Sequence, residues 1–256
     1  MRAYSGGRYA EAVRLGERAV AIEPRARWVL GGVVRFYLEL EDLDAARSFA
    51  AEQMESARPA LWVPICLFAG QPQRAADIIL ANPDRWTDSL GEQVEAYAIR
   101  DAAIAAGELT RARVELPKLP SELHGLYRTI VLAQVNLALG DRAEAERLAR
   151  EVLEWKEPSY PGPLQYAQVV AHALLGQHQA ALDALERLGV QRLKGWWYAV
   201  NREPAFNLLR SDPRFQAFAS KARAHAAEQR TLLEQMRERG EAPRRAVNTG
   251  MKSAPC

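Results

Sequence analysis

Histidines, cysteines and carboxylates are the residues with which this chain would have to build a catalytic or metal-binding site. His172 and His178 lie on opposite sides of Gly176, away from the i,i+4 spacing of a helical zinc pair, and no nearby Cys/Asp/Glu set completes a coordination sphere. His124 and His225 are separate from them, so the histidines read as core or hydrogen-bonding residues. The chain lacks a glycine-rich phosphate loop followed by Lys and Ser/Thr, a nucleophile elbow and a zinc-deaminase pattern. Ser211-Asp212 suits a helix cap better than nucleophilic catalysis. Glu144 and Glu146 are two residues apart on a helix and point in different directions, so their spacing gives no ground for an acid/base pair. The expectation is a noncatalytic chain with no metal and no cofactor.

The elements that carry these residues follow a repeat. Gly140-Asp141-Arg142-Ala143-Glu144-Ala145 is a G-x-x-x-x-A pattern that returns at Gly7…Ala12, Gly70…Ala75, Gly107…Ala112 and Gly176…Ala181, with Glu41…Ala46 carrying Glu for Gly. Successive copies start about 34, 29, 37, 33 and 36 residues apart, the period of stacked helical hairpins. The glycine lets one helix end in the left-handed conformation, and the small alanine lets the next helix approach closely. An all-α solenoid follows, with units at about 1–24, 25–58, 59–85, 86–122, 123–157 and 158–190.

The clearest unit runs through Leu123, Tyr127, Val131, Leu132, Val135 and Leu139, turns at Gly140, and returns through Ala145, Leu148, Ala149, Val152 and Leu153. The next has Tyr166, Val169, Val170, Ala173 and Leu174 before Gly176, then Ala181, Leu182, Leu185 and Leu188. Ala26 to Leu40 and Leu43 to Met54 form another hairpin, with Asp42 or Asp44 at the second helix start. Pro59, Pro64, Pro72 and Pro83 restrict the third unit. Pro117 and Pro120 shorten the return helix of the fourth, which predicts a bend or groove over residues 59 to 121.

With 48% hydrophobic and 26% charged residues, the composition supports a folded core. A formal charge of +2 from 34 basic and 32 acidic residues gives no global field for phosphate and argues against nucleic acid. No run of eighteen uncharged apolar residues appears, so a membrane is not favoured. Two cysteines are too few for a disulfide framework; Cys66 reads as a small buried hydrophobe, and a reducing bacterial-type cytoplasm is the economical location.

Gly7-Arg8-Tyr9-Ala10-Glu11-Ala12, followed by Ala19 and Glu23-Pro24, resembles the second helix and closing proline of a tetratricopeptide repeat, and Gly140…Ala145 and Gly176…Ala181 resemble its interhelical turn. The resemblance covers roughly residues 3 to 190. It implies antiparallel helix pairs stacked into a right-handed superhelix with a concave binding face. Only Met1 to Gly6 precede the first turn, so the second helix of that unit is expected to expose parts of Val13, Ala19, Val20 or Ile22 unless a partner or a missing segment covers them.

After Gly189 the pattern changes. Gly195-Trp196-Trp197-Tyr198, Glu203-Pro204-Ala205-Phe206 and Leu208 to Phe215 read as a helical cap over 191–240, with Phe206, Leu209, Phe215 and Phe218 plugging the last hairpin and Asp212-Pro213 starting a final helix to about Arg239. Residues 241–256 read as a flexible tail. This segment also resembles the end of repeat modules that accompany bacterial nucleotide cyclases and winged-helix regulators, which implies a sensory, regulatory or assembly role.

The repeat register implied by the resemblance puts Trp28, Arg35 and Leu38, then Tyr97 and Asp101, then Tyr127, Gln134 and Leu137, and finally Tyr166 and Val170 on the groove side. Aromatic surface mixed with hydrogen-bonding groups suits a protein or peptide partner. Gly31 and Arg35, like Ile130 and Gln134, depart from the Lys, Asn and Arg pattern by which some relatives clamp a terminal carboxylate. The expected function is a protein- or peptide-binding scaffold, with self-association or an N-terminal partner also open. The alternatives are a small-ligand sensory module with a pocket near Pro117 to Pro120, and an enzyme with a site between repeats.

Overall fold

A computed structural model describes residues 6–24, 26–53, 61–81, 89–118, 125–155, 161–243 and 256. All regular structure among them is helical: α1 (Tyr9–Ile22), α2 (Arg27–Glu39), α3 (Leu43–Glu52), α4 (Trp62–Phe68), α5 (Pro72–Ala81), α6 (Ser89–Ala106), α7 (Leu109–Glu115), α8 (Leu126–Ala138), α9 (Arg142–Glu154), α10 (Pro161–Leu174), α11 (His178–Leu188), α12 (Trp196–Asn201) and α13 (Pro213–Glu238). Short 3-10 turns cover Leu116–Lys118 and Pro204–Phe206. Helices adjacent in sequence pack together, and α6, α8 and α10 also touch across pairs, giving a TPR-like solenoid of helix pairs.

One local device makes the hairpins. At Gly140 (φ 84°) the glycine N–H donates to Leu137 O and the Asp141 N–H to Asn136 O. This double bond satisfies the last carbonyls of α8. Asp141 then caps α9 by accepting from the Glu144 N–H at 3.3 Å. The same pair of backbone bonds recurs where Glu stands for Gly: Glu41 has φ 53°, with Glu41 N–H on Leu38 O and Asp42 N–H on Tyr37 O. Asp42 accepts from Ala45 N–H at 2.9 Å, so the cap of α3 is Asp42 rather than Asp44. The alanines that close the motif, Ala12, Ala46, Ala75, Ala112, Ala145 and Ala181, are all buried. At α1 even a methyl is too much: a Cβ on Gly16 would lie 2.5 Å from Val33 Cγ2, so α1 and α2 meet at a glycine.

Proline punctuation acts as its chemistry requires. α7 stops at Glu115 and passes into the 3-10 turn that contains Pro117. Asp212 accepts from the Arg214 N–H at 2.8 Å, and Pro213 occupies the first turn of α13. Pro59, Pro83, Pro120, Leu123 and His124 lie outside the described residues.

The first unit is completed by the chain itself rather than left open. The 26 residues of α13 span about 39 Å. At its start Arg214 reaches Asp183 and Glu186 of α11, each at 2.7 Å. Farther on, His225 Nε2 donates to Gly7 O at 2.8 Å, Ala10 N–H donates to Gln229 Oε1 at 3.3 Å, and Arg237 lies 3.7 Å from Glu17. These contacts advance together along both helices, so α13 runs parallel to α1 and joins the first and last hairpins. Val13 and Val20 are consequently buried, Ala19 is half-buried, and only Ile22, at 85% exposure, stands out in solvent. The expectation of an uncovered α1 is corrected accordingly.

Cys66 is buried, as its apolar surroundings imply, but its sulfur is bonded to Cys256 across a sequence separation of 190. The guanidinium of Arg47 donates to the Cys256 carbonyl. This pairing corrects the reading of Cys66 as an unpaired hydrophobe. Reduction, or Cys256→Ser, is expected to lower unfolding free energy by about 2–4 kcal/mol. Urea unfolding with and without dithiothreitol checks this, with alkylation and mass measurement counting free thiols; coincident transitions would remove the bond from the native molecule.

Candidate functional site

The inner face of the helix row, where the groove residues were expected, is occupied by residues 195–206 of the same chain. Gly195, in the left-handed conformation, turns the backbone inward and donates its N–H to Glu39 Oε1 at 2.6 Å, while Trp196 Nε1–H donates to Glu39 O at 3.0 Å. Trp197 packs on Phe68 with ring centroids 4.9 Å apart. Tyr198 stacks on Tyr97 at 4.4 Å and an interplanar angle of 10°. Phe206 meets both Tyr166 and Phe215 edge-on. One short segment therefore touches α2, α4, α6 and α10.

At its centre is Arg100, a fully buried cation on α6. Its Nε and Nη2 lie 2.9 and 2.8 Å from Asp101 Oδ1, its Nη1 donates to Gln134 and lies 3.5 Å from Glu203 Oε1, and its Nη2 donates to the Tyr198 hydroxyl. The Tyr198 hydroxyl in turn donates to Asp101 Oδ2. Glu203, also fully buried, accepts from Gln134, from the Tyr166 hydroxyl at 3.3 Å and from Ala205 N–H at 3.2 Å. The guanidinium also lies over the Tyr97 ring at 4.9 Å and the Tyr198 ring at 5.6 Å.

Burial opposes the Arg100 charge, but Asp101, Tyr198 and Glu203 more than offset it and raise its pKa well above the ordinary value. Burial, with nearby Glu203, drives the Tyr166 hydroxyl up, and burial outweighs Arg100 in doing the same to Tyr198. Each hydroxyl thus stays protonated and acts as a fixed donor. With these donors satisfied and Arg100 and Glu203 both fully buried, the network holds helices together.

The groove residues divide accordingly. Tyr97, Tyr127, Gln134, Tyr166, Val170 and Leu38 are buried, Asp101 and Arg35 are half-buried, and Leu137 is 38% exposed near the end of α8. The Trp28 side chain lies outside the described residues. Tyr97, Asp101, Gln134 and Tyr166 are brought together, but around Tyr198 and Glu203 instead of around an open channel. Sequence reasoning missed Arg100 and Glu203. The available signal was the adjacent pair Arg100-Asp101, one turn beyond Tyr97, in the otherwise apolar run Ala96 to Ala103.

Elsewhere, the cavity between α5, α6 and α7, lined by Ala76, Ile99, Ala103 and Ala112 among others, holds about 30 Å³, room for a water and not a metabolite. Of the Pro117 to Pro120 connection, beside which a pocket would favour a ligand-sensing module, residues 119 and 120 lie outside the described residues. His172 is half-buried and its Nδ1 lies 2.7 Å from Gln177 Oε1. Among the described residues no group of three or more His, Cys, Asp or Glu is placed to hold a metal ion, and no helix is long and apolar enough to cross a membrane.

No curated protein and no solved structure matches the chain. The family match ends at residue 62, so the likeness of the C-terminal segment to cyclase- and regulator-associated modules stands outside it. Residues 3–62 match the model described as the tetratricopeptide repeat, and with the helix pairs that continue beyond them the fold is a TPR-like helical repeat whose first segment is similar to that family.

Proposed function

We propose that this protein is a noncatalytic protein- or peptide-binding scaffold, of a regulatory or assembly kind, whose partner is held on outward-facing helix surfaces. The tetratricopeptide repeat at residues 3–62, a module that generally mediates protein contacts, is the observation that carries this reading. The inner face supports the outward placement. Trp196, Trp197, Tyr198 and Phe206 are each 6% exposed or less, and at roughly 25 cal/mol per Å² their combined burial is too stabilising for an ordinary peptide to displace them.

A randomised peptide library selected against the folded chain is expected to yield ligands that bind in calorimetry while the near-ultraviolet circular dichroism of the buried tryptophans stays unchanged. Absence of any peptide ligand would count against a scaffold. A ligand that abolishes the tryptophan signal would return the binding site to the inner face.

A further inference from the structure

We propose that the cleft between α1 and α13 is a docking site for an acidic, amphipathic peptide segment of a partner protein; this deepens the scaffold reading and rests on it. The cleft has a volume of about 880 Å³ and is open to solvent. One wall is the outward face of α1, where Arg8, Glu11, Arg14 and Arg18 lie within about a third of a turn of the helix. The other wall is Leu232 and Met236, one turn apart on α13, both half-buried. Two kinds of contact are therefore offered along one line, an apolar strip and a row of guanidinium groups.

The charges are unequally spent. Arg8 pairs with Glu11 at 2.9 Å, and Glu241 at the end of the cleft pairs with Arg239 at 2.7 Å. Among the described residues Arg14 has only the longer-range influence of that already paired Glu241, and Arg18 makes no ion pair. These two guanidinium groups give the cleft its net positive character and its preference for carboxylates. Leu15 at 45% and Ile22 at 85% exposure extend the apolar surface beside them on the same side of α1. A helical occupant with apolar residues at i, i+3, i+4 and i+7 and glutamates flanking them satisfies both walls, by the way helices are commonly bound in grooves.

Other occupants fit less well. Residues 244–256 contain Arg244, Arg245 and Lys252 and no Asp or Glu, so the chain's own tail carries the same sign as the cleft. A second copy would bring the same arginines against each other. An anionic membrane presents a plane, whereas this surface is a cleft whose lining includes the carboxylates Glu11 and Glu241.

The test uses the full oxidised chain and a fluorescent 16-residue helical peptide with leucines at the four anchor positions and glutamates around them, beside a lysine-for-glutamate control. The acidic peptide is expected to bind with an affinity that falls with salt, and the control at least tenfold more weakly. R14E/R18E should reduce affinity at least tenfold and R14K/R18K far less, with helicity and unfolding midpoint unchanged because neither arginine is recorded in an ion pair. Leu232→Ser should weaken binding too. Equal affinity for wild type and R14E/R18E would overturn the cleft while leaving the scaffold reading to the library selection. Binding to phosphatidylserine vesicles without binding to the peptide, or self-association lost in R14E/R18E, would overturn it in favour of a membrane or a second copy.

Discussion

Arg100→Ala is expected to lower the unfolding free energy by about 3–5 kcal/mol, the range for removing one member of a buried ion pair and leaving the other uncompensated. The side chain is fully buried, and its loss strands Asp101, Glu203 and Gln134 at once. Arg100→Met separates charge from volume. Methionine restores most of the aliphatic stem but none of the five N–H donors, so a cost close to that of alanine is expected if hydrogen bonding holds the network. Recovery of most of the stability by methionine would assign the arginine to packing. Arg100→Lys should fall between the wild type and alanine, because a single ammonium cannot reach Asp101, Gln134 and Tyr198 together. The measurement is the urea midpoint with the slope checked for constancy.

The parts of this fold that were legible in the sequence are those fixed by neighbouring residues. Gly140 with Asp141 specifies a helix end, a left-handed turn and the next helix cap within six positions; Gly70, Gly107 and Gly176 repeat the left-handed turn with the same pair of backbone bonds, although Glu108 and Gln177 do not repeat the aspartate cap. Asp212-Pro213 marks the start of α13 for an equally local reason. Glu41 shows how far the motif reaches, since it takes the left-handed conformation although it has a Cβ. Its neighbours supply the hydrogen bonds that a glycine elsewhere enjoys at less steric cost.

What was not legible is where residues 190–243 go. Gly195 and Glu39 are 156 residues apart, Gln229 and Ala10 are 219 apart, and Cys256 and Cys66 are 190 apart. No periodicity links such pairs. A repeat register turns Tyr97, Gln134 and Tyr166 to the groove side, but it is silent on what meets them. An aromatic cluster such as Gly195 to Tyr198 has the composition of a binding anchor, and in this chain the anchor and the groove belong to one molecule. Arg100 escaped notice because an arginine on an apolar helix face is ordinarily read as snorkelling to solvent, whereas here its helix neighbour Asp101, Gln134 of α8, and Tyr198 and Glu203 of the inner segment converge on it.

That intramolecular anchoring makes Trp196→Ala the second substitution with a large expected effect, about 3–5 kcal/mol for deletion of a buried aromatic side chain. Trp196 is 1% exposed and its indole N–H ends on the Glu39 carbonyl, the last residue of α2. Trp196→Phe keeps most of the apolar area and removes that bond, so a loss of only about 1 kcal/mol is expected from the hydrogen bond, plus the smaller ring. The distribution of the damage is as informative as its size. In an open solenoid each repeat is coupled to its neighbours alone, and a lesion at residue 196 would loosen amides of α10 to α13 while leaving α2 protected. Here Gly195 and Trp196 are tied to Glu39, and α13 is tied to α1 through Gln229 and His225. Hydrogen exchange in Trp196→Ala should therefore accelerate in α1, α2 and α13 together. Exchange confined to the C-terminal helices would mean that the row of hairpins is stable without its inner segment, and that the inner face is a surface the chain covers rather than the core on which both of its ends depend.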